Sequence, residues 1–223
     1  MRIKRIYMSF LGVIITALSV GAFKFAAFGV DPFQSFMSGI DALFSIDFGT
    51  LYVIVNALLL WFALAFDRHY IGPSTFINLF FLGYIVDFSQ NLLDAAFPAA
   101  SAMVRITAFL LGFLFLCLGS SLYMTADLGV STYDVIALVC SNKWKIGRFQ
   151  YVRVCTDIAC IVLGIGMFLF SGGLPKQITT FVGVGTILTA FFMGPVIDLF
   201  NRTISVPMLN KVAFQNKLLK VRQ

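Results

Sequence analysis

Residues 126–138, Ala-Asp-Leu-Gly-Val-Ser-Thr-Tyr-Asp-Val-Ile-Ala-Leu, repeat a pattern met 100 residues earlier at 26–34, Ala-Ala-Phe-Gly-Val-Asp-Pro-Phe-Gln. At that spacing Gly12 falls on Gly112, Ala26 on Ala126, Gly29 on Gly129, Val30 on Val130 and Phe33 on Tyr133. Loop lengths then shift the register to 111. Gly72 falls on Gly183, Thr75 on Thr186, Phe80 and Phe81 on Phe191 and Phe192, Gly83 on Gly194, and Asp87 on Asp198. Chance does not produce so long a string in apolar sequence, so the chain reads as one unit used twice. Each copy is a long helix, a Gly-Val turn, a short amphipathic or re-entrant segment, a second helix, a tight turn and a third helix.

The solvent for this unit is lipid. Of 223 residues, 60% are hydrophobic and 12% charged, with a mean hydropathy of +0.94, whereas soluble domains carry about 25% charged residues. A spanning helix needs about 20 apolar residues to cross roughly 30 Å of hydrocarbon. Six such runs are expected at about 6–28, 49–66, 71–93, 102–126, 149–170 and 178–200. Arg2, Lys4 and Arg5 ahead of the first run also resemble a signal peptide. The repeat partner of that run lies inside the chain, where no signal peptidase acts, so the run is expected to be structural.

Orientation follows from the excess of Lys and Arg in cytoplasmic loops. The connection after the first span carries Asp31, Asp41 and Asp47 and no base, whereas its repeat partner carries Lys143, Lys145 and Arg148. Equivalent loops are thus expected on opposite faces, with both termini cytoplasmic. The fold expected is an all-α integral membrane protein of six transmembrane helices in two inverted-topology repeats. Residues 1–95 form the first, 96–204 the second, and 205–223 a basic amphipathic cytoplasmic tail on the anionic inner leaflet. The net charge of +6 then reflects topology and lipid, not nucleic acid.

Several residues are candidates for function. Gly29 and Gly129 are expected to end helices in the left-handed conformation, and Asp31-Pro32 to restart one with Pro in its first turn. Asp31 with Gln34, and Ser131 with Asp134, have the spacing of a capping box. Two readings stay open for these four. They satisfy free N–H groups, or two broken-helix N-termini point their positive dipole ends at a ligand. With full-length first helices both turns are expected near the surface, as an entrance or gate.

Asn56 and Asp157 sit at roughly matching places inside the second and fifth spans. A buried ionisable group costs several kcal/mol, which makes Asp157 the candidate cation or proton site unless it pairs with Arg153 one turn away. Lys24 near the outer end of the first span either snorkels to headgroups or binds. Gly72, Gly83, Gly183, Gly185 and Gly194 are expected to allow close helix packing.

The stretch 126–138, with Gly183-x-Gly185-Thr186 and the run Gly194 to Asp198, resembles the signature of the bacterial YczE/YyaS/YitT family of membrane proteins. Ala126, Leu128, Gly129, Val130, Asp134 and Val135 agree with it; Thr132 and Tyr133 replace the family's Pro and Trp, and the first copy keeps Pro32 but has Gln34 in the place of Asp. The resemblance implies a bacterial inner-membrane protein of about this size.

No enzyme is expected. His69 is the only histidine, the four cysteines form no CxxC pair, and no GxSxG, HExxH or Walker motif occurs. Neither metal nor cofactor is called for. Inverted repeats and broken helices point first to a small secondary transporter or permease. A substrate-binding component of an energy-coupling transporter and a non-transporting scaffold for a cytoplasmic enzyme are the rival classes. A chain of six spans is also a candidate homodimer.

Overall fold

In a computed structural model, residues 2–209 are described apart from 45, 148 and 181. The basic tail, from 210 onward, lies outside the described residues. Helices form where apolar runs were read: α1 (Arg2–Ala26), α3 (Phe48–Phe66), α4 (Pro73–Ala96), α5 (Ala102–Ala126), α7 (Phe149–Phe170) and α8 (Val184–Phe200), with two shorter helices, α2 (Pro32–Asp41) and α6 (Thr132–Leu138). No strand occurs among the described residues. Six helices are long and apolar enough to cross a membrane, the last running on through a π-helical turn to Leu209. The chain is an all-α, multi-pass membrane protein.

The ends follow local chemistry. Pro73 opens α4, because its fixed φ suits a first helical position and its missing N–H has no partner to lose there. Asp47 caps α3, accepting from the N–H and the hydroxyl of Thr50; those bonds hold its carboxyl below the ordinary carboxylate range. The last span starts later than expected. Pro175–Thr180 winds into a 3₁₀ turn, and the helix proper begins only after Gly183.

The side chains are distributed as lipid requires. Trp61, Phe88, Phe170 and Phe191 are exposed, while Ser9, Ser19, Asn56, Asn78, Ser121 and Thr189 are buried. Without water outside, helices associate through small residues and interhelical hydrogen bonds. The central pair α1 and α5 runs antiparallel. A Cβ on Gly12 would stand 2.7 Å from the Gly119 carbonyl oxygen and 2.7 Å from Tyr123 N, and one on Gly112 would stand 3.2 Å from the Phe23 ring. Residues 12 and 112 thus meet 123 and 23.

The two Gly-Val turns tie each part of the chain to the other. Gly185 N donates to Phe28 O at 2.7 Å, and Ser74 N donates to Leu128 O at 3.1 Å. Gly29 packs on Gly183 and Thr186, and Gly129 on Gly72 and Thr75. Thr75 Oγ1 accepts from Gly72 N and donates to Val130 O, and Thr186 Oγ1 accepts from Gly183 N. Gly72, Gly183 and Gly185 therefore serve as seats for turns, a more specific task than general helix packing. Gly83 does pack, its Cα closing on Tyr52 and Gly49 of α3. Gly194 departs from the expectation: a Cβ there meets open space.

Helix termination differs from the expectation in one detail. The left-handed residues that follow α1 and α5 are Ala27 (φ 59°) and Asp127 (φ 53°), and Gly29 (φ 99°) and Gly129 (φ 105°) make a second turn two residues on.

Candidate functional site

The short helices pack against the long ones inside the bundle. Thr132 Oγ1 donates to Asn56 Oδ1 near the middle of α3, while Trp144 beyond the far end of α6 packs edge-on against Phe62 and Phe66 at the end of α3. α6 therefore starts beside the middle of α3 and runs toward its C-terminal end. α2 does the same along α7, with Gly39 closing on Gly164. Their first turns meet: the Phe33 and Tyr133 rings stack with centroids 4.8 Å apart, and Tyr52 meets Phe33 edge-on at 6.0 Å. The turns at Gly29 and Gly129 lie at helix ends, as expected. The residues they launch meet one another inside the bundle.

Around this meeting point lies a cavity of about 450 Å³. Its walls include Asp31 and Gln34 of the first turn, Ser131, Tyr133 and Asp134 of the second, Asn56, Asp157 and Arg153. The structure thus gathers into one site candidates that stand far apart in sequence. Lys24 is not among them. Its Nζ sits 3.0 Å from the centroid of the Phe48 ring, with Asp87 and Asp41 as its nearby counter-charges, and it takes no part in the cavity.

Arg153 organises the wall. It pairs with Asp134 and, at 3.2 Å through Nε, with Asp157 one turn along α7, and its guanidinium stands 4.4 Å from the Tyr133 ring centroid. Tyr133 donates its hydroxyl to Asp157 Oδ1 at 2.6 Å, and Tyr123 donates to Asp134 Oδ2 at 2.9 Å. The pairing of Asp157 with Arg153 was legible from their spacing. The bridge to Asp134, and the two tyrosines, were not, because each joins residues of different elements.

The helix N-termini are already used. Asp31 Oδ1 accepts from Phe33 N at 3.1 Å and Gln34 N at 3.2 Å, and Ser131 Oγ accepts from Asp134 N at 3.2 Å while donating to that residue's carboxylate at 2.7 Å. The capping reading is what the geometry carries, and it leaves these N–H groups with partners inside the chain. Two buried polar atoms among the described residues lack a partner, Gln34 Oε1 and Thr16 Oγ1, and both residues line the cavity.

One flank of the cavity is shut and the other open. Tyr52 on α3 donates to Asn78 of α4 at 3.2 Å, and α3 packs along α4. α7 makes no comparable contact with α8, and the exposed side chains of Val154 and Phe191 edge the cavity there.

The family profile of DUF6198, described as a family of unknown function, matches residues 3–202. The chain is 28% identical over 205 residues to a Bacillus subtilis protein described as "Uncharacterized membrane protein YczE", covering 90% of this chain and 86% of that one. It is 23% identical over 197 residues to an uncharacterized protein of Haemophilus influenzae, covering 85% of this chain and 82% of the other. No solved structure matches. Matched along nearly its whole length, the chain belongs to the YczE-like family of membrane proteins that carries the description DUF6198.

Proposed function

We propose that this protein is a small secondary transporter of the bacterial inner membrane, built from two copies of a three-helix unit inserted in opposite orientations. The observation that carries the reading is the cavity of about 450 Å³ at the junction of residues 1–95 and 96–204, to which both copies bring the same elements. Inverted-repeat transporters place their sites there, at interrupted helices near mid-membrane. The antiparallel α1 and α5 and the reciprocal seats of the two Gly-Val turns support the inverted arrangement. The basic residues Lys143 and Lys145, against Asp41 and Asp47 in the matching connection, support cytoplasmic termini.

The shut and open flanks support a mechanism. In an inverted repeat, exchanging the conformations of the two copies turns a cavity open on one side into one open on the other. Gly83 is the closed contact of the first copy, and Gly194 is its open equivalent in the second. Transport then needs α8 to close on α7 while α4 opens from α3. Gly194→Leu should fold normally, since a Cβ there meets nothing within 4 Å, yet lower flux at least tenfold by blocking that closure. The check is initial uptake rate in proteoliposomes beside a thermal melt. Wild-type flux in the variant would remove the closure step from the mechanism.

The transport reading itself is tested by purifying the full chain, reconstituting it, and following uptake of a small-molecule panel under proton and sodium gradients. Gradient-dependent accumulation of one compound is expected. Absence of flux for every compound under every gradient would overturn it in favour of a scaffold.

A further inference from the structure

The charge left over in the cavity identifies the kind of ligand. Three carboxylates, Asp31, Asp134 and Asp157, face one guanidinium, Arg153, so two negative charges are uncompensated by side chains. The N-termini of α2 and α6 each offset at most about half a charge. A deficit of about one positive charge remains.

An anion is the wrong complement on three counts. Arg153 is committed to Asp134 and Asp157. The first-turn N–H groups of Phe33, Gln34 and Asp134 are committed to Asp31 and Ser131. Among the groups the walls leave without a partner are acceptors. Gln34 is only 3% exposed and its Oε1 has no partner. Both cap bonds to Asp31 fall on Oδ1, so Oδ2 has no hydrogen-bond partner among the described residues. A buried acceptor without a donor costs about 1–3 kcal/mol, a cost that a donor-bearing ligand removes.

A bare metal ion is also a poor fit. No group of three or more His, Cys, Asp or Glu among the described residues is placed to hold one. The rest of the surface is aromatic and amide-bearing: Phe33, Tyr52 and Tyr133 line it, and aromatic ring faces attract organic cations. The volume is within the range of sites for small organic molecules.

We infer that the cavity binds a small, singly charged organic cation bearing N–H donors, a protonated amine, with the Asp31 carboxylate as counter-ion and Gln34 Oε1 as a second acceptor. The inference gives the proposed transporter its substrate class, and binding is measured without flux so that the two can fail separately.

The test uses the full chain in detergent micelles at neutral pH. Isothermal titration compares phenethylamine with phenylacetate and 2-phenylethanol, probes of similar skeleton carrying a positive, a negative and no charge. The amine is expected to bind at least tenfold more tightly than either. Asp31→Asn, which keeps a good cap residue, should weaken the amine at least tenfold. Gln34→Glu, which adds a carboxylate at the unpaired acceptor, should strengthen it. Tighter binding of phenylacetate, no saturable binding of the amine, or amine binding indifferent to both substitutions would each overturn the inference. Amine binding in a protein that shows no flux would keep the inference and remove the transport reading.

Discussion

Gly129→Ala should cost about 4 kcal/mol and leave little folded protein at 37 °C, while Gly194→Ala should fall within about 0.5 kcal/mol of wild type. Two terms make up the first figure. At φ 105° an L side chain is strained, a conformation worth about 1–3 kcal/mol. The added Cβ would also stand 2.5 Å from Gly72 N and 2.8 Å from Gly72 Cα, and forced overpacking of this kind costs about 1–3 kcal/mol. The obstructing atoms are backbone at the start of α4, so no rotamer change relieves them. Gly29→Ala should behave alike, because its Cβ would stand 2.6 Å from Gly183 N at φ 99°. Unfolding in bicelles by titration with a denaturing detergent gives both values. A mild Gly129→Ala would mean that the turn does not brace α4.

The second large effect is expected at Arg153. Removing it as Arg153→Ala leaves Asp134 and Asp157 facing each other across the cavity with no cation between them. Breaking a buried pair costs about 3–5 kcal/mol; because the Arg153 side chain is 31% exposed, about 2–3 kcal/mol is expected. The loss should come from charge, not from contacts. The triple variant Arg153→Met, Asp134→Asn, Asp157→Asn should therefore recover most of the stability. If the triple variant were no more stable than Arg153→Ala, the guanidinium would matter for its packing on Tyr133 and not for its charge.

The fold was largely legible because hydropathy marks a span residue by residue and the glycines mark its ends. The recurrence of Gly29 at Gly129 and of Gly72 at Gly183, at fixed offsets, was legible too. Which glycine touches which was not. Gly29 meets Gly183 and Gly129 meets Gly72, contacts across the chain that no local pattern records. Gly194 shows the limit of arguing by equivalence, because it aligns with Gly83 and was expected to pack as that residue does, and the structure leaves it open.

The site divides in the same way. Asp157 and Asn56 could be read from the cost of polar groups within a span, and Arg153 from its position one turn before Asp157. The meeting of Asp31, Gln34, Ser131 and Asp134 in one cavity could not, because it depends on how α2 and α6 pack along α7 and α3. Lys24, which sequence left between snorkelling and binding, rests on the Phe48 ring outside the cavity.

The opposite insertion of the two copies is tested most directly at Ile46 and Ile146, both exposed and lying in the matching connections after α2 and after α6. In a functional variant without the four native cysteines, each is replaced singly by Cys and whole cells are treated with a membrane-impermeant maleimide. Ile46→Cys should be labelled from outside, and Ile146→Cys only after the membrane is permeabilised. Labelling of both positions from the same side would contradict the inverted arrangement and everything built on it.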